Sequence, residues 1–173
     1  MRKLGSAAAM PEPVIPEPAI PRSGLGFDVH RFSEHRPLWL GGVLFEGEDG
    51  LIGHSDGDAA CHAVADALLG AAALGDVGQH FPDTDPTVEG LEGRVLLRRV
   101  GGLLVDAGYR ASSVDLTLIC DRPAIGPRRD EMRAEVAGCL GLAIDRVSVK
   151  ATRPEGLGLA GDGVGCLAIA VIV

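Results

Sequence analysis

From residue 24 onward the chain alternates between short apolar runs and longer stretches with helical spacing. The runs "LGFDVHRF" and "LWLGGVLF" read as two strands joined by a turn around Ser33–Pro37. "HSDGDAACHAVADALLGAAAL" predicts a long Ala/Leu-rich helix, with Ser55 or Asp56 as N-cap and Gly75 as its stop. "VGQHFPDTDP" reads as a loop, and "LEGRVLLRRVGGLLVDAG" as a helix closed by Gly108. "SSVDLTLIC" predicts a strand, "RPAIGPRRDEMRAEVAGCLG" a loop feeding a helix, and "DRVSVKAT" and "VGCLAIAVIV" the closing strands. Interleaved strands and helices predict an α/β (α+β) fold, a single domain with a mixed β-sheet and helices packed on one face.

Residues 1–22 break this pattern. Prolines at 11, 13, 16, 18 and 21 disfavour a helix and favour extended chain. The expected organisation is a Pro/Ala-rich tail or linker over 1–22 and a folded domain over 23–173. A length of 173 residues suits one domain. Hydrophobic residues make up 46% of the chain and aromatics only 3%, so the core has to come from Ala, Val, Leu and Ile. No apolar run reaches the length of a membrane span, and the tail lacks the apolar segment of a secretory signal. The four scattered cysteines, Cys61, Cys120, Cys139 and Cys166, form no C-x-x-C pair and read as free thiols in a reducing, cytoplasmic setting. A formal net charge of −8 argues against binding nucleic acid through its phosphates. It leaves room for an anionic small molecule, because bound cations can invert the local field.

Candidate chemistry begins at "GFDVH". In a strand, Asp28 and His30 point to the same face. On the long helix, Asp58, His62 and Asp66 are spaced i, i+4, i+8 and share one face. Taken alone, Asp58 reads equally as a first-turn carboxylate complementing the helix dipole, and His62 as an ordinary satisfied histidine. Taken together, Asp28, His30 and His62 supply three ligands with an open fourth position, the arrangement of a catalytic zinc site. Asp58 and Asp66 then stand as carboxylates placed to orient the His62 ring. Asp76, Asp83 and Asp85 read either as turn caps or as acceptors for a polyol. After the strand "VSVKAT", Glu155 suits a hard divalent cation, and Thr152 and Arg153 suit phosphate oxygens; a plain solvated loop is the alternative. The glycines that follow form no Walker or dinucleotide motif, because no helix comes after them.

"GFDVH", "GHSDGDAACHAVADALLGAAALGDVGQHFPDTDP", "VSVKAT" with its following Glu155, and the glycine-rich last strand stand in a characteristic order and spacing. In these segments the chain closely resembles the 2-C-methyl-D-erythritol 2,4-cyclodiphosphate synthase family, from about residue 24 to the end. The resemblance implies a homotrimer with sheets around a central axis and active sites between adjacent subunits. It implies one Zn2+ per subunit on Asp28, His30 and His62, and Mg2+ or Mn2+ on Glu155 with the substrate diphosphate. The implied substrate is a 4-diphosphocytidyl methylerythritol 2-phosphate. Its 2-phosphate attacks the phosphorus nearer the sugar alcohol, closing a cyclic diphosphate and releasing CMP.

By the same resemblance, Asp28, Val29, His30, His54 and Ser55 meet the substrate at the metal end. Asp76, Val77, Gly78, Phe81, Pro82, Asp83, Thr84 and Asp85 hold the methylerythritol part. From the neighbouring subunit, Cys120, Asp121, Arg122, Pro123, Ala124, Ile125 and Gly126, with Thr152, Arg153, Pro154 and Glu155, hold the cytidine and its diphosphate. His54 and Arg153 occupy catalytic positions.

Three departures from the family pattern stand out. Arg153, followed by Pro154, replaces the usual second Thr after "KAT". Ala124 replaces the usual Lys of the cytidine loop. "GDGVG" replaces G-R-G-E-G, so Asp162 stands where an Arg can meet an isoprenoid diphosphate on the trimer axis, and axial binding of that ligand is expected to be absent. Two other readings of the chain are a different zinc-dependent phosphoryl-transfer or hydrolytic enzyme, and a non-catalytic trimeric scaffold. No nucleic-acid or membrane partner is expected.

Overall fold

The computed structural model describes residues 20–158 and 162–173. Residues 1–19, most of the proline-rich tail, and 159–161, which include Gly161 of the closing stretch, lie outside the described residues. The strands are β1 (Arg22–Leu40), β2 (Val43–Leu51), β3 (Ala111–Ile119), β4 (Val147–Thr152) and β5 (Gly163–Ile172). The helices are α1 (Ala59–Ala72), α2 (Val77–His80), α3 (Gly93–Asp106) and α4 (Arg129–Leu140). The strands form one mixed sheet in the order β2-β1-β5-β3-β4. All neighbours are antiparallel except β3 and β4, which α4 joins by the crossover that a parallel pair requires. Among the described residues, no helix is long and apolar enough to cross a membrane.

Several sequence expectations need correcting. The break predicted at Ser33–Pro37 is a bulge within β1, not a turn between strands. Ser33 pairs with Gly50 and Pro37 with Asp49, which leaves Glu34, His35 and Arg36 without partners, and His35 takes a φ of 75°. The chain reverses instead at Gly41–Gly42, both with positive φ, as two-residue hairpins demand.

The N-cap of α1 is Asp58, not Ser55 or Asp56. Asp58 Oδ1 accepts from the backbone N–H groups of Ala60 and Cys61 at 3.1 and 3.0 Å. Asp58 also accepts from the hairpin N–H groups of Gly41 and Gly42 at 2.8 and 2.7 Å. Asp56 takes a different post, accepting from Gly93 N, the first N–H of α3, at 2.7 Å. Two carboxylates two residues apart thus fasten the starts of two helices and the β1–β2 hairpin. Helix α1 ends at Ala73 in the left-handed region (φ 58°), before Gly75. The segment read as a loop contains α2, capped by Asp76, and a 3-10 turn at Pro86–Val88, capped by Asp85. Gly108 (φ 85°) closes α3 as expected.

The layout of β1 explains the position of α1. Its helix-facing residues are Gly24, Gly26, Asp28 and His30, aligned with Ala170, Ala168, Cys166 and Val164 of β5. A Cβ at Gly26 would stand 2.0 Å from the Ala63 carbonyl oxygen, and one at Gly24 2.1 Å from that of Ala67. The helix backbone therefore rests directly on the strand backbone, and α1 is buried along nearly its whole length. The opposite sheet face carries Leu25, Phe27, Val29, Leu167 and Ile169, all exposed in the single chain. The described helices pack on one face, as the sequence pattern predicts.

Candidate metal centre

Close approach of α1 to β1 brings His62 against Asp28. His62 Nδ1 lies 3.0 Å from Asp28 Oδ2, and His30 Nε2 lies 2.8 Å from the same oxygen. The ligand atoms of Asp28, His30 and His62 all fall within 4.8 Å of one another, and this group could hold a metal ion. Each ligand is oriented from behind. His30 Nδ1 donates to the Ile52 carbonyl at 2.6 Å, leaving the Nε2 lone pair aimed into the cluster. His62 Nε2 lies 3.1 Å from Ser55 Oγ, and Asp28 Oδ1 accepts from Val29 N at 2.9 Å. One carboxylate oxygen and two imidazole nitrogens facing one another on a cleft wall are a donor set that fits a divalent ion.

Burial opposes ionisation of Asp28, yet hydrogen bonds and charge from His30 and His62 outweigh it and hold its carboxyl well below the usual range. Burial likewise works against a charged His62. The Asp28 hydrogen bond and the charges of Asp28, Asp58 and Asp56 reverse that effect and push its pKa above the ordinary 6.5. In the metal-free protein, Asp28 contributes stability above an unfolded pKa of 3.8 and loses it as pH falls through its depressed folded value. His62 contributes below 6.5 and loses its contribution as pH rises through its raised folded value. An incoming ion must displace the His62 proton. Metal affinity is therefore expected to weaken by about tenfold or more per pH unit on acidification below that value. Competition titrations with Zn2+ between about pH 5.5 and 8 check this, and a flat profile removes His62 as a protonated competitor.

A cavity of about 160 Å3 opens beside the cluster, lined by His30, His54, Ser55, His62, Val77, Phe81 and Asp83 among others. His54 Nε2 faces Asp83 Oδ2 at 3.7 Å, with both side chains exposed. Seven residues named from the sequence thus share one cleft. Of their neighbours, Asp76 and Asp85 are engaged as helix caps. Val29 points to the outer sheet face and reaches the cluster only through its N–H.

The expectation that Asp58 orients the His62 ring is not met. Its two oxygens accept the four backbone N–H groups described above, and the ring meets Asp28 and Ser55. Asp66 accepts from Val77 N at 2.8 Å and so ties α2 to α1. The orienting role of Ile52 was missed, because a backbone carbonyl has no sequence signature.

A second cavity, of about 240 Å3, is lined by Cys120, Asp121, Pro123, Ala124, Ile125, Thr152 and Arg153, together with Ala151. Burial pushes the Cys120 thiol up to about 11, so it is a neutral wall at pH 7. Arg122 turns away from this cavity to Asp49 at 2.9 Å, stacked over the Phe32 ring at 4.0 Å. Gly126, Pro154 and Glu155 lie outside the lining, and Glu155 is exposed with a φ of 50°. The row Val29–Gly165–Ile119–Thr152 runs across the sheet, so both cavities sit at one sheet end. β1 and β4 are three strand spacings apart there, about 14 Å.

The YgbB family model matches residues 21–173. The bifunctional enzyme IspD/IspF of Anaeromyxobacter dehalogenans is 52% identical over 153 residues, which is 87% of this chain and 39% of that protein. The chain thus spans about two fifths of the length of that bifunctional relative. The 2-C-methyl-D-erythritol 2,4-cyclodiphosphate synthase of Trichlorobacter lovleyi is 50% identical over 152 residues, 88% of this chain and 97% of that one. A solved structure of such a synthase, in a CDP-bound form, superposes with a TM-score of 0.81 at 39% identity, covering 88% of this chain and 100% of that one.

Proposed function

The chain belongs to the YgbB family, and from that premise we propose that it converts 4-diphosphocytidyl-2-C-methyl-D-erythritol 2-phosphate to 2-C-methyl-D-erythritol 2,4-cyclodiphosphate and CMP. This is a phosphorus–oxygen lyase reaction of isoprenoid precursor synthesis. The observation that carries the proposal is the convergence of Asp28 Oδ2, His30 Nε2 and His62 Nδ1 on a cleft edged by His54 and Ser55.

In this reading Asp28, His30 and His62 hold Zn2+, and Glu155 holds Mg2+ or Mn2+ with the diphosphate. Such ions, when bound, neutralise repulsion between the two anionic groups of the substrate and the charge that develops on the leaving group. The chain's own residues orient and enclose. His54 and Ser55 donate to the 2-phosphate, and the Phe81–Asp85 segment encloses the methylerythritol carbons and hydroxyls. Thr152 and Arg153 donate to the diphosphate, and the 120–126 loop takes the cytosine. An oxygen of the 2-phosphate attacks the diphosphate phosphorus nearer the sugar alcohol. The bond from that phosphorus to the CMP-side bridging oxygen breaks, and CMP departs with the electron pair. The nucleophile belongs to the substrate, so positioning carries the rate, an effect of up to about 7–11 kcal/mol in well-oriented cases.

The two cavities lie apart in one chain, and the outer face of β1 and β5 is apolar and exposed. Both features support a homotrimer in which the 120–126 and 152–155 walls of one subunit close over the metal cleft of the next. We assign residues 23–173 to this catalytic domain and the chain before it to a tail or linker, with the boundary moved back to Arg22, which already pairs with Ile172 in the sheet. Asp162 argues against an isoprenoid diphosphate on the trimer axis.

The test is incubation of the metal-loaded protein with the cytidyl substrate and Mg2+, following CMP and the cyclic product. Simple hydrolysis instead of cyclisation would favour a water-activating zinc enzyme, and no turnover a scaffold. Arg153 allows a finer check. Arg153→Ala is expected to raise KM about tenfold through loss of a charge-assisted phosphate contact, and Arg153→Thr to recover part of that loss. Unchanged KM in both variants removes Arg153 from the site.

A further inference from the structure

We propose that Arg36 is a positioning residue for the metal centre: its guanidinium clamps the segment Ile52–Ser55, whose groups orient both imidazole ligands. The assignment rests on the metal reading of Asp28, His30 and His62. Arg36 lies three strand residues beyond Ser33 in the β1 bulge, and bulges re-aim side chains that a regular strand would send elsewhere. From there, Nη1 donates to the Gly53 carbonyl at 2.5 Å and Nη2 to the Ser55 carbonyl. The carbonyl between them, His54 O, accepts from Gly90 N at 2.8 Å.

The clamped segment supports the two ring ligands from both of its ends. Ile52 O accepts from His30 Nδ1, and Ser55 Oγ meets His62 Nε2. The segment also packs against the ring it orients, because a Cβ on Gly53 would stand 3.5 Å from His30 Cε1. A planar fork can bridge two carbonyls two residues apart, whereas the ammonium of a lysine is a single point of donation. Arg36 touches none of the three ligands, so its influence on the metal passes through the backbone it holds.

Arg36→Met and Arg36→Lys in the full chain test this through two readouts. These are Zn2+ affinity by chelator competition, and melting temperature with and without Zn2+. Arg36→Met is expected to weaken Zn2+ binding about tenfold, the low end of the cost of losing a ligand's orienting partner. Arg36→Lys should fall between it and the parent. The Zn2+-induced rise in melting temperature should shrink in step. Equal lowering of both melting temperatures, with affinity within twofold of the parent, overturns the proposal and leaves Arg36 a stability residue. If Arg36→Met does not fold, Arg36→Lys decides alone, and parental affinity in it overturns the proposal. Parent protein that binds Zn2+ but releases no CMP defeats the reaction proposed above and leaves the Arg36 assignment intact; parent protein that binds no Zn2+ overturns both.

Discussion

On the proposed metal reading, His62→Ala is expected to reduce metal binding to near zero and to lower CMP release by about a thousandfold. The size follows from what is lost. Among the described residues, His62 supplies one of three ligand atoms in the cluster. Ser55 lies behind the ring rather than in the cluster, and Asp58 is held by four backbone N–H groups. A two-ligand site binds divalent ions weakly, and charge stabilisation at a reacting phosphate is commonly worth a factor of 10²–10³ for a single contact. Metal analysis of the purified variant, paired with product assays, checks both halves. Full metal content in His62→Ala would remove this histidine from the ligand set.

Gly26→Ala is expected to destabilise the protein by about 3 kcal/mol or more and to lower metal content, although Gly26 touches no ligand. The added methyl would sit 2.0 Å from the Ala63 carbonyl and 2.7 Å from Ala67 N, both backbone atoms that no rotamer change can move. Relief requires α1 to lift from β1, which draws His62 away from Asp28. Gly70→Ala is the control, because its Cβ would meet nothing within 4 Å. On propensity alone it should be neutral or stabilising by up to about 1 kcal/mol. Denaturant unfolding of the two variants separates the cases, and a Gly26→Ala protein of parental stability would show that the strand–helix contact yields easily.

Much of this fold was legible in the chain, for reasons that differ by element. Alternation, helical spacing and turn residues identified β3, β4, β5, α1, α3 and α4, whereas α2 lay in a segment read as a loop and the β1–β2 hairpin inside a run read as one strand. The run Ser33–Pro37 has turn composition, but sheet pairing on either side carries the strand through it as a bulge. Asp28, His30 and His62 were legible because ligand chemistry restricts residue type and strand parity sets the face. Asp58 was misassigned because a shared helix face does not say which polar groups lie nearby. The demand of the Gly41–Gly42 hairpin for acceptors arises only in the folded chain. Ile52 and Arg36 escaped notice for the same reason, since one acts through a carbonyl and the other on carbonyls.

The alternation in β1 has one more consequence, for how strictly its pairing is read. A slip of one residue against β5 would turn Leu25, Phe27 and Val29 toward α1, where even a methyl collides with the helix backbone at Gly24 and Gly26. The same slip would send Asp28 and His30 out among Leu167 and Ile169, stranding a carboxylate on apolar surface. A single misalignment is therefore wrong on both faces at once. The strand that bears two of the candidate ligands works as a parity check on its own register, and the ion site is assembled only from the copy that passes it.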